Sequence, residues 1–227
     1  MSQAELLRDR RVAPSILAAD FAHIGSAVEE VMEAGARVIH VDVMDGHFVP
    51  PISIGPQIVE ALNEQVDAAG GWLDVHLMIE RPERHVADFA SAGADSISVH
   101  FEATPHVHLA VHKVREDGCR AGVAITPSTP ASSLAAIAPD IDIALCMTVN
   151  PGWGGQPFLP EALPKVRELR EFLDDDTAIE VDGGIETHTV GPCAEAGAGL
   201  FVAGSSVFGQ PDPAEAYRRL VEAAGAV

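Results

Sequence analysis

The sequence predicts an α/β fold of the (β/α)8 barrel class. Short β-rich apolar runs alternate with helical stretches from about residue 12 to about residue 224. Several helical stretches close on one phrase, Glu-Ala-Gly-Ala at 33–36 and 195–198 and Ser-Ala-Gly-Ala at 91–94, and the next apolar run follows directly. The chemically unusual residues cluster at the C-terminal ends of the runs, which is where such barrels carry their chemistry. One domain spanning residues 1–227 is therefore expected, with no linker. On alternation alone, a doubly wound open sheet is the competing architecture.

Taken in order, strands are expected at about 12–18, 37–44, 72–79, 95–101, 120–126, 141–149, 178–182 and 199–204. Helices are expected at about 20–35, 56–69, 82–93, 106–118, 131–138, 160–173, 186–197 and 212–224. Asp20, Thr187 and Asp212 stand where a side chain would cap the first orphan N–H groups. Pro56, Pro82 and Pro160 stand near first-turn positions, where a missing N–H costs nothing. Gly35, Gly70, Gly93, Gly118 and Gly197 follow helical stretches, as C-terminal capping glycines do.

Composition excludes several function classes. A hydrophobic fraction of 47% fits a folded core, and no apolar run approaches the roughly 18 residues that a membrane span needs. A formal net charge of −20 argues against nucleic acid or an anionic membrane as partner. A small anionic substrate stays possible, because surface charge is screened within about 8–10 Å. The N-terminal segment is polar and lacks a secretory apolar stretch, so a cytoplasmic protein is expected. Cys119, Cys146 and Cys193 are widely spaced, with no CxxC pair, which points to free thiols in a reducing compartment.

His40, Asp42 and Met44 alternate along one apolar run, and Asp74, His76 and Met78 along the next. A strand puts alternate residues on one face, so both runs place imidazole and carboxylate side by side. Burying such groups is costly without partners, and a metal ion satisfies them together. With Asp182 from the seventh run, His40, Asp42 and His76 make a donor set of two imidazoles and two carboxylates. One divalent ion per subunit is expected. Zn2+ leads, and Fe2+, Mn2+ and Co2+ suit the same donors better than Ca2+ or Mg2+ do. Asp74 sits one step down the strand from His76 and is read as an orienting or structural partner, not a ligand. His47 and His100 stand at run ends as candidate supporting groups. His23, His85, His106, His108, His112 and His188 are read as solvated.

Lys113 and Lys165 are the only lysines, and both fall in outer helices. Schiff-base chemistry at the barrel mouth is thereby excluded. An anionic group would instead be held by backbone N–H donors. Asn150-Pro-Gly-Trp-Gly-Gly-Gln156 follows the sixth run, Gly183-Gly184 the seventh and Gly204-Ser205 the eighth. Loops after strands seven and eight form the recurrent phosphate site of these barrels. Met44, Met78 and Met147 end three runs and are read as a polarizable lining of the site.

The motifs Pro14-Ser-Ile-Leu-Ala-Ala-Asp-Phe21, His40-Val-Asp-Val-Met-Asp-Gly-His-Phe-Val-Pro50, Asp74-Val-His-Leu-Met78, Met147-Thr-Val-Asn-Pro-Gly-Trp-Gly-Gly-Gln156, Glu180-Val-Asp-Gly-Gly-Ile185 and Val202-Ala-Gly-Ser205 run in order along the chain. With them the sequence closely resembles the ribulose-phosphate 3-epimerase family. The resemblance implies interconversion of D-ribulose 5-phosphate and D-xylulose 5-phosphate, and a divalent metal on His40, Asp42, His76 and Asp182. It implies substrate contacts from Ser15, His76 and Asp182, and phosphate held by Gly152, Trp153, Gly154, Gly155, Gly183, Gly184, Gly204 and Ser205. It also implies a homo-oligomer, either dimer or hexamer. Trp153 stands where many relatives have Phe, and Thr126 where Asn is common.

Inversion at a carbon next to a ketone needs a base on one face and an acid on the other. Removing the C3 proton leaves an enediolate, whose charge a divalent ion stabilises. By resemblance, Asp42 accepts the proton and Asp182 donates one in the usual direction. Three readings compete. They are an epimerase of a six-carbon ketose phosphate such as allulose 6-phosphate, a metal-dependent aldolase or synthase acting on ribulose 5-phosphate, and a non-catalytic sugar-phosphate binding protein.

Overall fold

The computed structural model describes residues 7–227. Eight strands form one all-parallel sheet in the order β1-β8-β7-β6-β5-β4-β3-β2. They are β1 (Arg11–Pro14), β2 (Val38–Met44), β3 (Trp72–Met78), β4 (Ser96–His100), β5 (Arg120–Ile125), β6 (Ile143–Met147), β7 (Ala178–Asp182) and β8 (Leu200–Ala203). A parallel bridge between Ser15 and His40 brings β1 and β2 together, so the sheet is a nearly closed (β/α)8, or TIM, barrel. The helices packed outside it are α1 (Ile24–Glu33), α2 (Pro56–Ala68), α3 (Val86–Ser91), α4 (Val107–Glu116), α5 (Ala162–Phe172), α6 (Val190–Ala196) and α7 (Pro213–Ala224).

Period-2 alternation explains the two-sided burial. Ile39, Val41, Val43, Leu73, Val75 and Leu77 point outward into the large core shared with the helices. Val38 and Trp72 point inward and join Leu7, Ala13, Ile143, Ala178, Leu200 and Val202 in an apolar floor. Above that floor the interior turns polar. Parallel pairing sets His40 beside Asp74, Asp42 beside His76 and Met44 beside Met78. It also sets Met147 beside Asp182. The interior therefore rises in layers, from apolar floor to ionisable middle to methionine rim.

Trp72 ties the floor to the layer above. It is 1% exposed, and its Nε1 donates to Ser96 Oγ at 2.6 Å. Trp72→Ala should cost about 3–5 kcal/mol of stability, read as a lowered urea midpoint. Trp153→Ala, at a site 55% exposed, should change stability by less than about 0.5 kcal/mol.

Several boundaries differ from the sequence expectation. The first strand stops at Pro14, because Ser15 caps a 3-10 turn at Ile16–Ala18 by accepting from Leu17 N. Asp20 caps a 3-10 turn at Phe21–His23 before α1 begins. The stretch 131–138 forms no regular α-helix; 3-10 turns at Ala131–Leu134 and Ala138–Asp140 take its place. That segment is rich in Ala, Ser and Pro and too short to nucleate a helix unaided. Thr187 is not a cap. The helix starts after Thr189, whose hydroxyl accepts from Glu186 N and donates to Gly184 O. Asp212 does cap α7, accepting from Glu215 N at 2.8 Å. Gly35, Gly70, Gly93, Gly118 and Gly197 all adopt positive φ, as capping glycines should.

Candidate active site

The mouth of the barrel holds a cleft of about 430 Å3. Its walls include Ser15, Asp42, Met44, Met78, Met147, Asp182, Gly183, Gly184, Gly204 and Ser205, together with the loop Asn150–Gln156 that carries Gly152, Trp153, Gly154 and Gly155. Every residue of the expected ligand, substrate and lining sets borders this cleft except His40 and His76. Those two imidazoles are fully buried just beneath it.

His40, Asp42, His76 and Asp182 each offer one donor atom, and these atoms all lie within 4.8 Å of one another. Asp42 is the hub. Its Oδ1 is 3.3 Å from His40 Nε2 and 3.2 Å from His76 Nδ1, and Asp182 Oδ2 is 3.5 Å from the same Nδ1. The other oxygen of Asp42 accepts the Ser15 hydroxyl at 2.6 Å. Ser15 reaches this position because the β1–β2 bridge pairs it with His40.

The far side of each imidazole is also held. His40 Nδ1 is 2.7 Å from Asp74 Oδ2, and Asp74 Oδ1 accepts from Ser96 Oγ at 2.5 Å. A carboxylate there accepts the Nδ1–H hydrogen bond and leaves Nε2 as the nitrogen that faces the cluster. His76 Nε2 lies 2.9 Å from His100 Nε2, and His100 Nδ1 lies 3.2 Å from Glu102. Glu102 is anchored by Thr126 N at 2.8 Å and by the Thr129 hydroxyl. With His100 Nδ1–H given to Glu102, His100 Nε2 accepts from His76 Nε2–H. His76 Nδ1 then faces Asp42 and Asp182, and it is the nitrogen a metal would take in place of a proton. Once those protons are displaced, both histidines are left in the tautomer that a ligand needs.

Electrostatics follow the same geometry. Burial works to lower both histidine pKa values, but the carboxylates outweigh it. His40 is raised well above the usual range by Asp42, Asp74 and Glu180, and His76 is raised to about 9 by Asp182 and Asp42. Burial also opposes ionisation of Asp42, yet the two imidazoles hold its carboxyl far below the ordinary range. His100 is pushed down to about 4, first by burial, so it stays neutral. Burial and then the Asp74 charge push Glu180 up to about 8, against the pull of His40, so it keeps its proton near neutral pH.

A metal ion fits this donor set on structural grounds. His40 Nε2 is buried, aimed at the cluster and without a hydrogen-bond partner. A buried nitrogen among carboxylates calls for a cation, a proton in the metal-free protein or a metal ion when one is bound. Two imidazoles and two carboxylates around one centre suit a Zn2+-class ion.

An anion in the upper cleft would have to be held by main-chain N–H and hydroxyl groups. No Lys or Arg lines it. Lys113 instead donates to Glu83 O, and Lys165 to Thr126 O and Pro127 O. Gly183 and Gly184 have φ of 119° and 65°. A Cβ would collide with the Val149 side chain at the first and come within 2.6 Å of Phe158 N at the second. Glycine is required at both positions by the positive φ and by close packing against Val149 and Phe158.

Two groups needed placing by the fold. His100 supports His76 directly, whereas His47 is exposed and hydrogen-bonds to Asp45. Glu180 was not singled out in the sequence, although its inward position two residues before Asp182 is the signal that could have found it.

Comparison with known proteins agrees in sequence and in fold. Residues 11–208 match the model of the ribulose-phosphate 3 epimerase family. The chain is 50% identical over 214 residues to a ribulose-phosphate 3-epimerase of Bacillus subtilis (strain 168), covering 92% of this chain and 97% of that one. It is 53% identical over 210 residues to the enzyme of the same name from Synechocystis, covering 90% of each. Among solved structures, a 3-hexulose-6-phosphate synthase superposes with a TM-score of 0.72 at 18% identity, covering 94% of this chain and 99% of that one. That likeness is one of fold alone.

Proposed function

Because the chain belongs to the ribulose-phosphate 3-epimerase family, we propose that it interconverts D-ribulose 5-phosphate and D-xylulose 5-phosphate by two-base proton transfer at C3. The single observation that carries this reading is the placement of two carboxylates from β2 and β7, Asp42 and Asp182, on the donor cluster at the cleft floor. Two-base inversion needs that arrangement, and a binding protein or a carbon–carbon lyase does not.

Asp42 is the base. Its carboxyl is held ionised by His40 and His76, and it stands at the cleft floor beside Ser15. Asp182, at the end of β7, gives a proton to the opposite face of C3. In the reverse direction the roles exchange. Each turnover swaps the protonation states of the two carboxyls, so the cycle closes by exchange with solvent. The product therefore carries a solvent-derived hydrogen at C3.

His40, Asp42, His76 and Asp182 would hold one divalent ion, with zinc the first expectation. When bound, such an ion supplies Lewis-acid stabilisation of the charge that develops as C3 loses its proton. The donors of the 152–155 loop, Gly183-Gly184 and Gly204-Ser205 orient the substrate through its phosphate. Met44, Met78 and Met147 exclude water from the reacting carbons.

Asp74 positions His40. Asp74→Asn should weaken metal affinity by about 10–100-fold while leaving the ligands in place. Competition with a chelator measures this, and unchanged affinity would show that Asp74 is structural only.

Substrate class is tested by comparing kcat/KM for ribulose 5-phosphate and allulose 6-phosphate. A preference for the five-carbon sugar is expected. A preference for the six-carbon sugar would overturn the assignment while leaving the two-base chemistry intact.

A further inference from the structure

The outer wall of the barrel carries a second group of metal-type donors. His108 and His112 lie four residues apart on α4 and so share one face. Their ring centroids are 4.5 Å apart at an interplanar angle of 49°. The Asp140 carboxylate reaches them from the 3-10 turn Ala138–Asp140, and one donor atom from each of the three residues lies within 4.8 Å of the others. None of them lines the cleft.

We propose that His108, His112 and Asp140 form a second binding site, for a Zn2+-class divalent ion, that clips α4 to the segment leading into β6. A histidine pair at this spacing on a helix is an established chelate geometry, and a carboxylate makes a third ligand with a position left for water. Tetrahedral Zn2+ needs each donor within about 2.0–2.2 Å of one point. Both histidines are exposed, so small rotamer changes reach that geometry.

The backbone under the site is already fixed. Arg115 Nη1 donates to Asp140 O at 2.8 Å, and Asp140 N donates to Ile137 O at 2.9 Å. Lys113 Nζ donates to Glu83 O at 2.7 Å, which pins α4 from its other side. The two bonds at Asp140 use main-chain groups of the 137–140 turn and leave the Asp140 side chain for a ligand. The location gives the clip a purpose. The β5–β6 connection is built from 3-10 turns rather than a regular helix, so it lacks the longer hydrogen-bond ladder that would hold it in place by itself. A chain of net charge −20 also concentrates cations at its surface.

The test starts from full-length protein carrying one equivalent of Zn2+ and adds further Zn2+, read by calorimetry and metal analysis. A second equivalent should bind and raise the thermal midpoint. H108Q/H112Q should lose both the second equivalent and the rise, with kcat/KM unchanged. D140N should weaken the second site at least about tenfold. Binding of one equivalent only, or a second equivalent that survives H108Q/H112Q, would overturn the proposal. Unaltered second-site affinity in D140N would overturn the three-ligand clip, leaving a two-histidine chelate that fastens nothing.

Discussion

Asp42→Asn and Asp182→Asn should each lower kcat for epimerisation by at least about 10^3-fold, roughly 4 kcal/mol of barrier. An amide is close to isosteric with a carboxylate but neither accepts nor donates the proton at C3. The two variants should differ in stability. Asp42 is buried between two imidazoles, and its Oδ2 accepts the Ser15 hydroxyl, whereas the Asp182 side chain is 15% exposed. Asp42→Asn should therefore lower the thermal midpoint more. His40 and His76 would give up the protons that Asp42 stabilises, so the barrel should still fold, and a far-UV spectrum that matches the parent would show it. Steady-state rates on purified, metal-loaded protein check the prediction. Either variant keeping a tenth of parental turnover would remove that residue from the chemistry.

Removing the divalent ion should reduce epimerase activity by at least about 100-fold, with recovery on adding back Zn2+, Mn2+ or Co2+. The stripped protein should also acquire a distinctive pH response. His76 is raised from about 6.5 to about 9 by its carboxylate partners. A histidine whose folded pKa is raised stabilises the fold fully below its unfolded value, and that contribution is lost as pH climbs through the folded value. The thermal midpoint of metal-free protein should thus fall between about pH 6.5 and pH 9. In the metal-loaded protein His76 is neutral and ligated, so the same interval should be nearly flat. Parallel melts of the two forms check both statements. A metal-free midpoint that stays level across this interval would contradict the ion-pair cluster.

Much of the barrel was legible because parallel strands buried on two faces still alternate. His40-Val-Asp-Val-Met44 and Asp74-Val-His-Leu-Met78 each declare an inner polar face and an outer apolar one, and the observed pairing of His40 with Asp74 and Asp42 with His76 follows. The Gly183-Gly184 pair was legible as a turn that needs glycine, and its positive φ and its packing against Val149 and Phe158 show why. Other features depend on distances that sequence does not carry. Glu180 meets His40 across the barrel interior, 3.4 Å from its Nδ1, and no spacing along the chain predicts a contact between β2 and β7. β4 pairs Ser98 with His76, and His100 reaches His76 only through its side chain, Nε2 to Nε2 at 2.9 Å, while His47 is exposed. Ser15 ended its strand early because its hydroxyl serves both Leu17 N and Asp42, a tertiary demand that overrides local β propensity. The 131–140 segment failed as a helix for the opposite reason. Its propensity was weak, and Ala131 and Leu134 bury their side chains from a 3-10 turn and Ile137 from the turn that follows.

The central claim is that Asp42 and Asp182 work from opposite faces of C3 and exchange their protons with water. It is tested most directly by proton NMR of ribulose 5-phosphate incubated in D2O with the metal-loaded protein. The account predicts xylulose 5-phosphate carrying deuterium at C3 from the first turnover. Xylulose 5-phosphate that keeps the original C3 proton would contradict it, because that outcome requires one group to carry the same proton from face to face.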